Sequence, residues 1–178
     1  KHDRRVFQYK DLCGYDKKTD KSNEELVKEN INDIKRRFIT FPQKAYAIIR
    51  TPNGELQERV ICNFKKVFGE DMRYKKYDKE SEIEDINVIL EKKPDENEFI
   101  FVKEKMRCAK TLCKRHVGVW YERYTKTPDD AVVIQGLIGR STGYDDNGWS
   151  IVYTNIDSID KYEKLWDSNF EDETIEWK

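Results

Sequence analysis

None of the four cysteines of this 178-residue chain, Cys13, Cys62, Cys108 and Cys113, falls in a CxxC pair, and its two histidines, His2 and His116, stand far apart. Zinc sites draw on close ligand pairs. Cys108, Cys113 and His116 can share a helix end, but reduced thiols filling small gaps in a core are the plainer use. No apolar run approaches the roughly 20 residues of a membrane span, and no charged-then-apolar signal segment opens the chain. The expectation is an intracellular protein with no membrane partner. A phosphate-cradling GxxxxGK[ST] loop is missing, which excludes a complete P-loop nucleotidase, and GxSxG, HExxH and GxGxxG are missing too. Net charge is scarce as well: it is -1 although 39% of residues are charged. Any contact with nucleic acid therefore depends on a local patch.

What is present is a regular alternation of short apolar runs and amphipathic stretches, in a length that suits one domain with a real core. Residues 1–21 are polar and lysine-rich and read as a linker or extension; the start on Lys1 in place of a methionine suggests that a longer protein is the source. Ser22-Asn23-Glu24-Glu25 is a capping-box pattern opening a helix to about Arg37. Strands are expected at 45–49, 72–77, 99–102, 117–121 and 150–154. Helices are expected at 56–68, 81–90 (capped by Ser81), 105–114, 129–138 and 156–166. Such an order builds an α/β domain over residues 22–170, with an open, mainly parallel sheet and helices on both faces. Ligands of such sheets collect at the carboxyl ends of the strands. Residues 171–178 form an acidic tail, expected to leave the fold.

The segment from Ile134 to Tyr144, Ile-Gln-Gly-Leu-Ile-Gly-Arg-Ser-Thr-Gly-Tyr, is the least helix-like part of an expected helix. Each interior glycine costs roughly 1 kcal/mol against alanine, so the cluster of Gly136, Gly139 and Gly143 indicates close approach by another backbone or a ligand. Arg140 offers a planar fork of donors that fits phosphate. Its plain alternative is a surface ion pair with Asp145 or Asp146. Gln135 can orient a water or bridge to a second body, or it can be a satisfied capping glutamine. Lys103, Arg107 and Lys110 follow an apolar strand at spacings that share one helical face, either toward nucleic acid or simply toward solvent. Arg50 and Thr51 end another strand and are candidate phosphate-backbone contacts. Asp145-Asp146-Asn147-Gly148 lacks the alternation of a calcium loop and reads as a turn. Tyr121-Glu122-Arg123-Tyr124 can stack a base, but packing is the commoner use of such residues.

Taken together, residues 44 to 166 resemble the second RecA-like lobe of a superfamily 2 helicase. Ile134 to Tyr144 looks like motif VI, Phe101 to Leu112 sits where motif V would, and Ile48-Ile49-Arg50-Thr51 where motif IV would. The longer phrases are most similar to divergent helicase-like ATPases of large DNA viruses and phages. The pattern departs from the family in one respect. Three residues separate Gln135 from Gly139-Arg140 where two are usual, and Gly143-Tyr144 occupies the place of a second arginine. The resemblance implies a RecA-like three-layer fold and a lobe of a nucleic-acid-dependent ATPase. It also implies Arg140 and Gln135 as catalytic groups, Gly139 and Gly143 beside the nucleotide, and Arg50, Thr51, Lys103, Arg107 and Lys110 on nucleic acid. ATP and Mg²⁺ would be bound in the full-length protein and none in this domain alone. The partners would be a first RecA-like lobe and single-stranded or duplex DNA or RNA, in the cytoplasm or nucleus of a host cell or in a virion. A non-catalytic docking module and a restriction-type DNA translocase are the rival expectations.

Overall fold

Apolar residues alternate in direction along extended backbone, so strands that are apolar throughout must be covered on both faces. The computed structural model, which describes residues 5–16, 21–103, 111–141 and 147–178, shows this arrangement. One open sheet of six parallel strands runs in the order β1 (Val6–Gln8), β8 (Ile151–Thr154), β7 (Val117–Tyr121), β4 (Tyr46–Arg50), β6 (Glu98–Val102), β5 (Tyr74–Tyr77). Between β1 and β4 lie a short antiparallel pair, β2 (Tyr15–Asp16) with β3 (Lys21–Ser22), and the helix α1 (Glu24–Phe38). The other helical elements are α2 (Leu56–Phe68), α3 (Asn87–Leu90), α4 (Asp130–Val133), a π-helical turn (Ile134–Ile138), α5 (Gly139–Ser141) and α6 (Ile156–Asp167).

Two cores result. On one face Ala47, Ile49, Phe99, Phe101, Val119 and Tyr121 pack against Ile31, Ile34 and Phe38 of α1 and Val60, Ile61 and Phe64 of α2. On the other, Tyr46, Ile48, Ile100, Val102 and Trp120 meet Leu90 of α3 and Leu137 of the π turn. The protein is thus α/β with three layers, as a RecA-like fold requires. Aromatic edges close the first core: Phe64 lies 5.3 Å from both Phe99 and Phe101, ring centre to ring centre. The register of β7 against β4 shifts beside Gly118, where a Cβ would come within 2.4 Å of the Phe41 ring. That irregularity sends Val117 to one core and Val119 to the other.

Several elements differ from the sequence expectation for identifiable reasons. Part of the segment read as an extension is built into the sheet. β1 pairs with β8, and Tyr9, Leu12 and Cys13 are buried, held by Asn63 Nδ2 donating to the Leu12 and Cys13 carbonyls at 3.0 and 3.2 Å. The cap of α1 is Asn23, not Ser22, its side chain accepting from the Leu26 amide at 3.2 Å. Ser81 does not cap a long helix. Its hydroxyl donates to the Asp78 carbonyl and closes a turn, leaving only Asn87–Leu90 helical. Residues 111–114 are not helical, because the Leu112 amide donates to the Arg140 carbonyl and the Cys113 amide to the Asn87 side chain; residues 104–110 of that expected helix lie outside the described residues. Among the described residues no helix is long and apolar enough to cross a membrane.

The tail returns to the fold through Asp130. This carboxylate, 2% exposed, accepts from Ser158 Oγ at 2.5 Å, Lys161 Nζ at 2.8 Å and the Lys178 amide at 2.9 Å, joining α4 to α6 and to residue 178. Burial by itself raises the pKa of Asp130, but the bonds from Lys161, Ser158 and Lys178 outweigh it and hold the carboxyl below its ordinary value. Asp33 is similar: burial raises it, and hydrogen bonds from Arg37 and Tyr153 bring it below its ordinary value. A carboxyl whose pKa is lower folded than unfolded contributes stability that is present above the unfolded value, near 4, and disappears as pH falls through the folded one. We therefore expect urea midpoints to drop as pH is lowered from about 5 to about 3. Asp130→Ala should cost about 2–3 kcal/mol at pH 7 and should flatten that drop. A variant with the wild-type pH profile would show that Asp130 contributes nothing to it.

Candidate functional site

In an open parallel sheet a crevice forms outside the carboxyl ends of neighbouring strands whose following helices go to opposite faces. β4 and β7 are such neighbours here. β4 leads into α2 on the first face, and β7 leads into α4 and the π turn, whose Leu137 packs on the second. Each strand ends in a charge at this point. Arg50 closes β4, and Glu122 follows β7 directly.

The two are bound to each other. Arg50 Nη1 donates to Glu122 Oε1 at 2.7 Å, with the Glu122 side chain only 3% exposed and that of Arg50 24%. The same carboxylate accepts the Arg123 amide on Oε1 at 2.8 Å and the Leu137 amide on Oε2 at 2.7 Å. A buried carboxylate is stable only when its charge and lone pairs are answered, and here one guanidinium and two backbone amides do so. The Leu137 amide is turned toward it because Gly136 leaves the helix, at φ -70° and ψ -129°. A Cβ on Gly136 would lie 2.4 Å from Glu122 Oε2 and 2.7 Å from Arg50 Nη1. One on Gly139 would lie 2.8 Å from the Ile134 carbonyl oxygen. The close approach that the glycines indicated is therefore made by the chain's own groups, and it produces the π turn.

Of the other residues singled out by sequence, Gln135 and Gly139 are exposed on the kinked helix and Arg140 is half-buried beside them, its carbonyl accepting from Leu112 at 2.8 Å. Thr51 is buried, its amide and hydroxyl both donating to the Val102 carbonyl, at 2.9 and 3.1 Å. Lys103 follows β6 directly and sits 3.9 Å from the buried Asp78 carboxylate. Arg107, Lys110 and Gly143 lie outside the described residues, as do Asp145 and Asp146. Gly136 and Arg140 thus share the kinked helix, Arg50 at the end of β4 meets it beside Gly136, and Lys103 follows β6, the strand next to β4. Tyr121 does not stack on anything outside. It is buried, its hydroxyl donates to the Lys10 carbonyl at 2.6 Å and accepts the Lys10 amide at 2.7 Å, and burial pushes its pKa well above the usual phenol value. Among the described residues no group of three His, Cys, Asp or Glu side chains is placed to hold a metal ion.

Sequence reasoning missed Glu122 as a site residue. The available signal was a carboxylate directly after an all-apolar strand, matching the arginine at the same place on another. No family model matches the chain, and no curated protein matches it.

Gly136→Ala is expected to cost about 1–3 kcal/mol by overpacking, read as a lower urea midpoint at unchanged m. Adding Glu122→Ala, which removes the atom struck, should make the double variant less destabilised than the sum of the singles. Strict additivity would separate the glycine from the carboxylate.

Proposed function

We propose that this chain is the second RecA-like lobe of a nucleic-acid-dependent ATPase of the superfamily 2 helicase and translocase type. The observation that carries the reading is the Gly-Arg segment on a kinked helix anchored at the strand junction of a six-stranded parallel sheet, next to an exposed glutamine. The chain has no phosphate loop, so ATP and Mg²⁺ would be held mainly by a first lobe supplied elsewhere. What this chain offers a triphosphate is limited and specific: the Arg140 guanidinium and the Gln135 amide at the closing face, on a helix where Gly139 makes room for the Ile134 carbonyl. An arginine delivered across an interface stabilises charge on a transferring phosphoryl group by a factor of about 10³ to 10⁵.

In the same reading Arg50 and Lys103, with Arg107 and Lys110, make up the contact with a nucleic-acid strand, and Thr51, buried with its amide and hydroxyl both on the Val102 carbonyl, is left out of it. Glu122 engages one of the five N–H donors of Arg50 in its 2.7 Å bond, and the others suit a phosphate oxygen. Repeated closure of the two lobes would then move this contact along the strand.

The purified 178-residue chain should hydrolyse no ATP; robust Mg²⁺-dependent turnover by it would defeat the two-lobe reading. In a protein containing both lobes, Arg140→Ala should leave ATP binding nearly intact and lower nucleic-acid-stimulated turnover by about 10² or more. Gln135→Ala should act in the same direction and less than additively with it. Wild-type turnover in the Arg140 variant would make that arginine a structural residue. Nucleic-acid binding by the lobe alone should be weak, fall steeply with salt, and weaken further when Lys103 and Arg107 are both replaced by alanine.

A further inference from the structure

The two edges of the sheet treat their cations differently. At the carboxyl edge Arg50, Lys103 and Lys161 lie 2.7, 3.9 and 2.8 Å from the buried carboxylates of Glu122, Asp78 and Asp130. At the amino edge, three adjacent strands, β6, β4 and β7, are entered by loops that carry Lys93, Lys44 and Arg115. All three side chains are exposed, and among the described residues none has a carboxylate within ion-pair distance.

These loops form a braced platform. The Ala45 amide donates to Asn97 Oδ1 at 3.1 Å, which ties the loop before β4 to the loop before β6. The Tyr46 amide donates to the His116 carbonyl at 2.9 Å, which ties it to the loop before β7. Lys44 and Lys93 line one groove of about 570 Å³ with Ile39, Phe41, Pro42 and Asp95. His116 adjoins it: partial burial first, then the charges of Arg115 and Lys93, lower its pKa. The opposing groups are Asp95 and Glu98, whose charges, after burial, push the Tyr46 phenol up. Glu98 is engaged by Lys75, which leaves Asp95 as the one carboxylate in the groove wall.

We propose that Lys44 and Lys93 in the groove, with Arg115 and His116 on the adjoining loop, form an anion-binding site for a phosphate-bearing ligand, on the edge of the sheet opposite the Arg50–Glu122 junction. A guanidinium fork and two ammonium groups carried on cross-tied loops offer several donors to the oxygens of a phosphate-bearing ligand. His116 adds a further donor once an anion favours its protonated form. The phosphate belongs either to a small molecule or to a nucleic-acid strand, and the site does not depend on the lobe being part of a motor.

His116 reports occupancy directly. In a His2→Gln background its pKa, followed by proton NMR, should rise toward the ordinary imidazole value when pyrophosphate is added. Lys93→Ala combined with Arg115→Ala should weaken pyrophosphate binding about tenfold or more. Asp95→Asn should tighten it by about twofold or more. A response to pyrophosphate alone assigns a small phosphorylated ligand, and a response to a thymidine oligonucleotide at lower concentration assigns a strand backbone. No change in His116 with either probe, or a change that persists in the double variant, overturns the proposal.

Discussion

A carboxylate taken out of water at the junction of β4 and β7 sets the shape of everything around it. Glu122 is bound to Arg50, to its own neighbour's amide and to the amide of Leu137 fifteen residues on. Removing any of these donors would leave charge uncompensated in a nearly dry place, which costs several kcal/mol. The backbone around Leu137 must therefore present its amide sideways, and only a residue without Cβ allows the carboxylate to come that close to position 136. The π turn, the start of α5 at Gly139 and the path of the Arg140 carbonyl toward Leu112 all follow from that single demand. Strand, ion pair and kinked helix form one rigid unit.

The net charge of -1 conceals how charge is arranged. Among the described residues, buried carboxylates beyond the carboxyl ends of the strands, Glu122, Asp78 and Asp130, each hold a lysine or arginine. At the amino edge Lys44, Lys93 and Arg115 have no such partner among the described residues, although Lys75 is held there by Glu98. The contrast arises from chain topology. In a parallel sheet every loop entering a strand is gathered on one side and every loop leaving it on the other, so charged residues far apart in sequence are sorted onto two separate edges.

Much of this architecture was legible because it rests on period and apolar runs. Ala45 to Ile49, Phe99 to Val102 and Val117 to Tyr121 had to be covered on both faces, and the structure places strands at Tyr46–Arg50, Glu98–Val102 and Val117–Tyr121. What escaped notice rests on single polar atoms. Ser81 has the spacing of a cap and spends its hydroxyl on Asp78. Val6, Phe7 and Tyr9 stand in a lysine-rich segment whose composition hides an edge strand with three paired residues. Glu122 lies between aromatic and basic residues, and nothing in a one-dimensional pattern says that the strand it ends lies beside the strand Arg50 ends. Neighbours in a parallel sheet are set by crossovers, and β4 and β7 are separated by two intervening strands in sequence.

The glycines of the arginine segment show how one pattern can have two physical sources. Their density suggested an approaching partner, yet Gly136 makes room for Glu122 and Arg50, and Gly139 for the Ile134 carbonyl. Glycine content by itself therefore does not argue for a second lobe. Placement does. Leu137 is buried in the second core, which turns the other side of the kinked helix outward, and Ala131, Val132, Gln135 and Gly139 are exposed there, with Val132 at 41%. An apolar side chain, an amide and a glycine next to the half-buried Arg140 make an uncharged stretch of surface beside one cation. A helix serving only the inside of its own domain would carry lysine or glutamate at those outward positions. The residues there are uncharged, which suits the proposed closing of this face against another lobe.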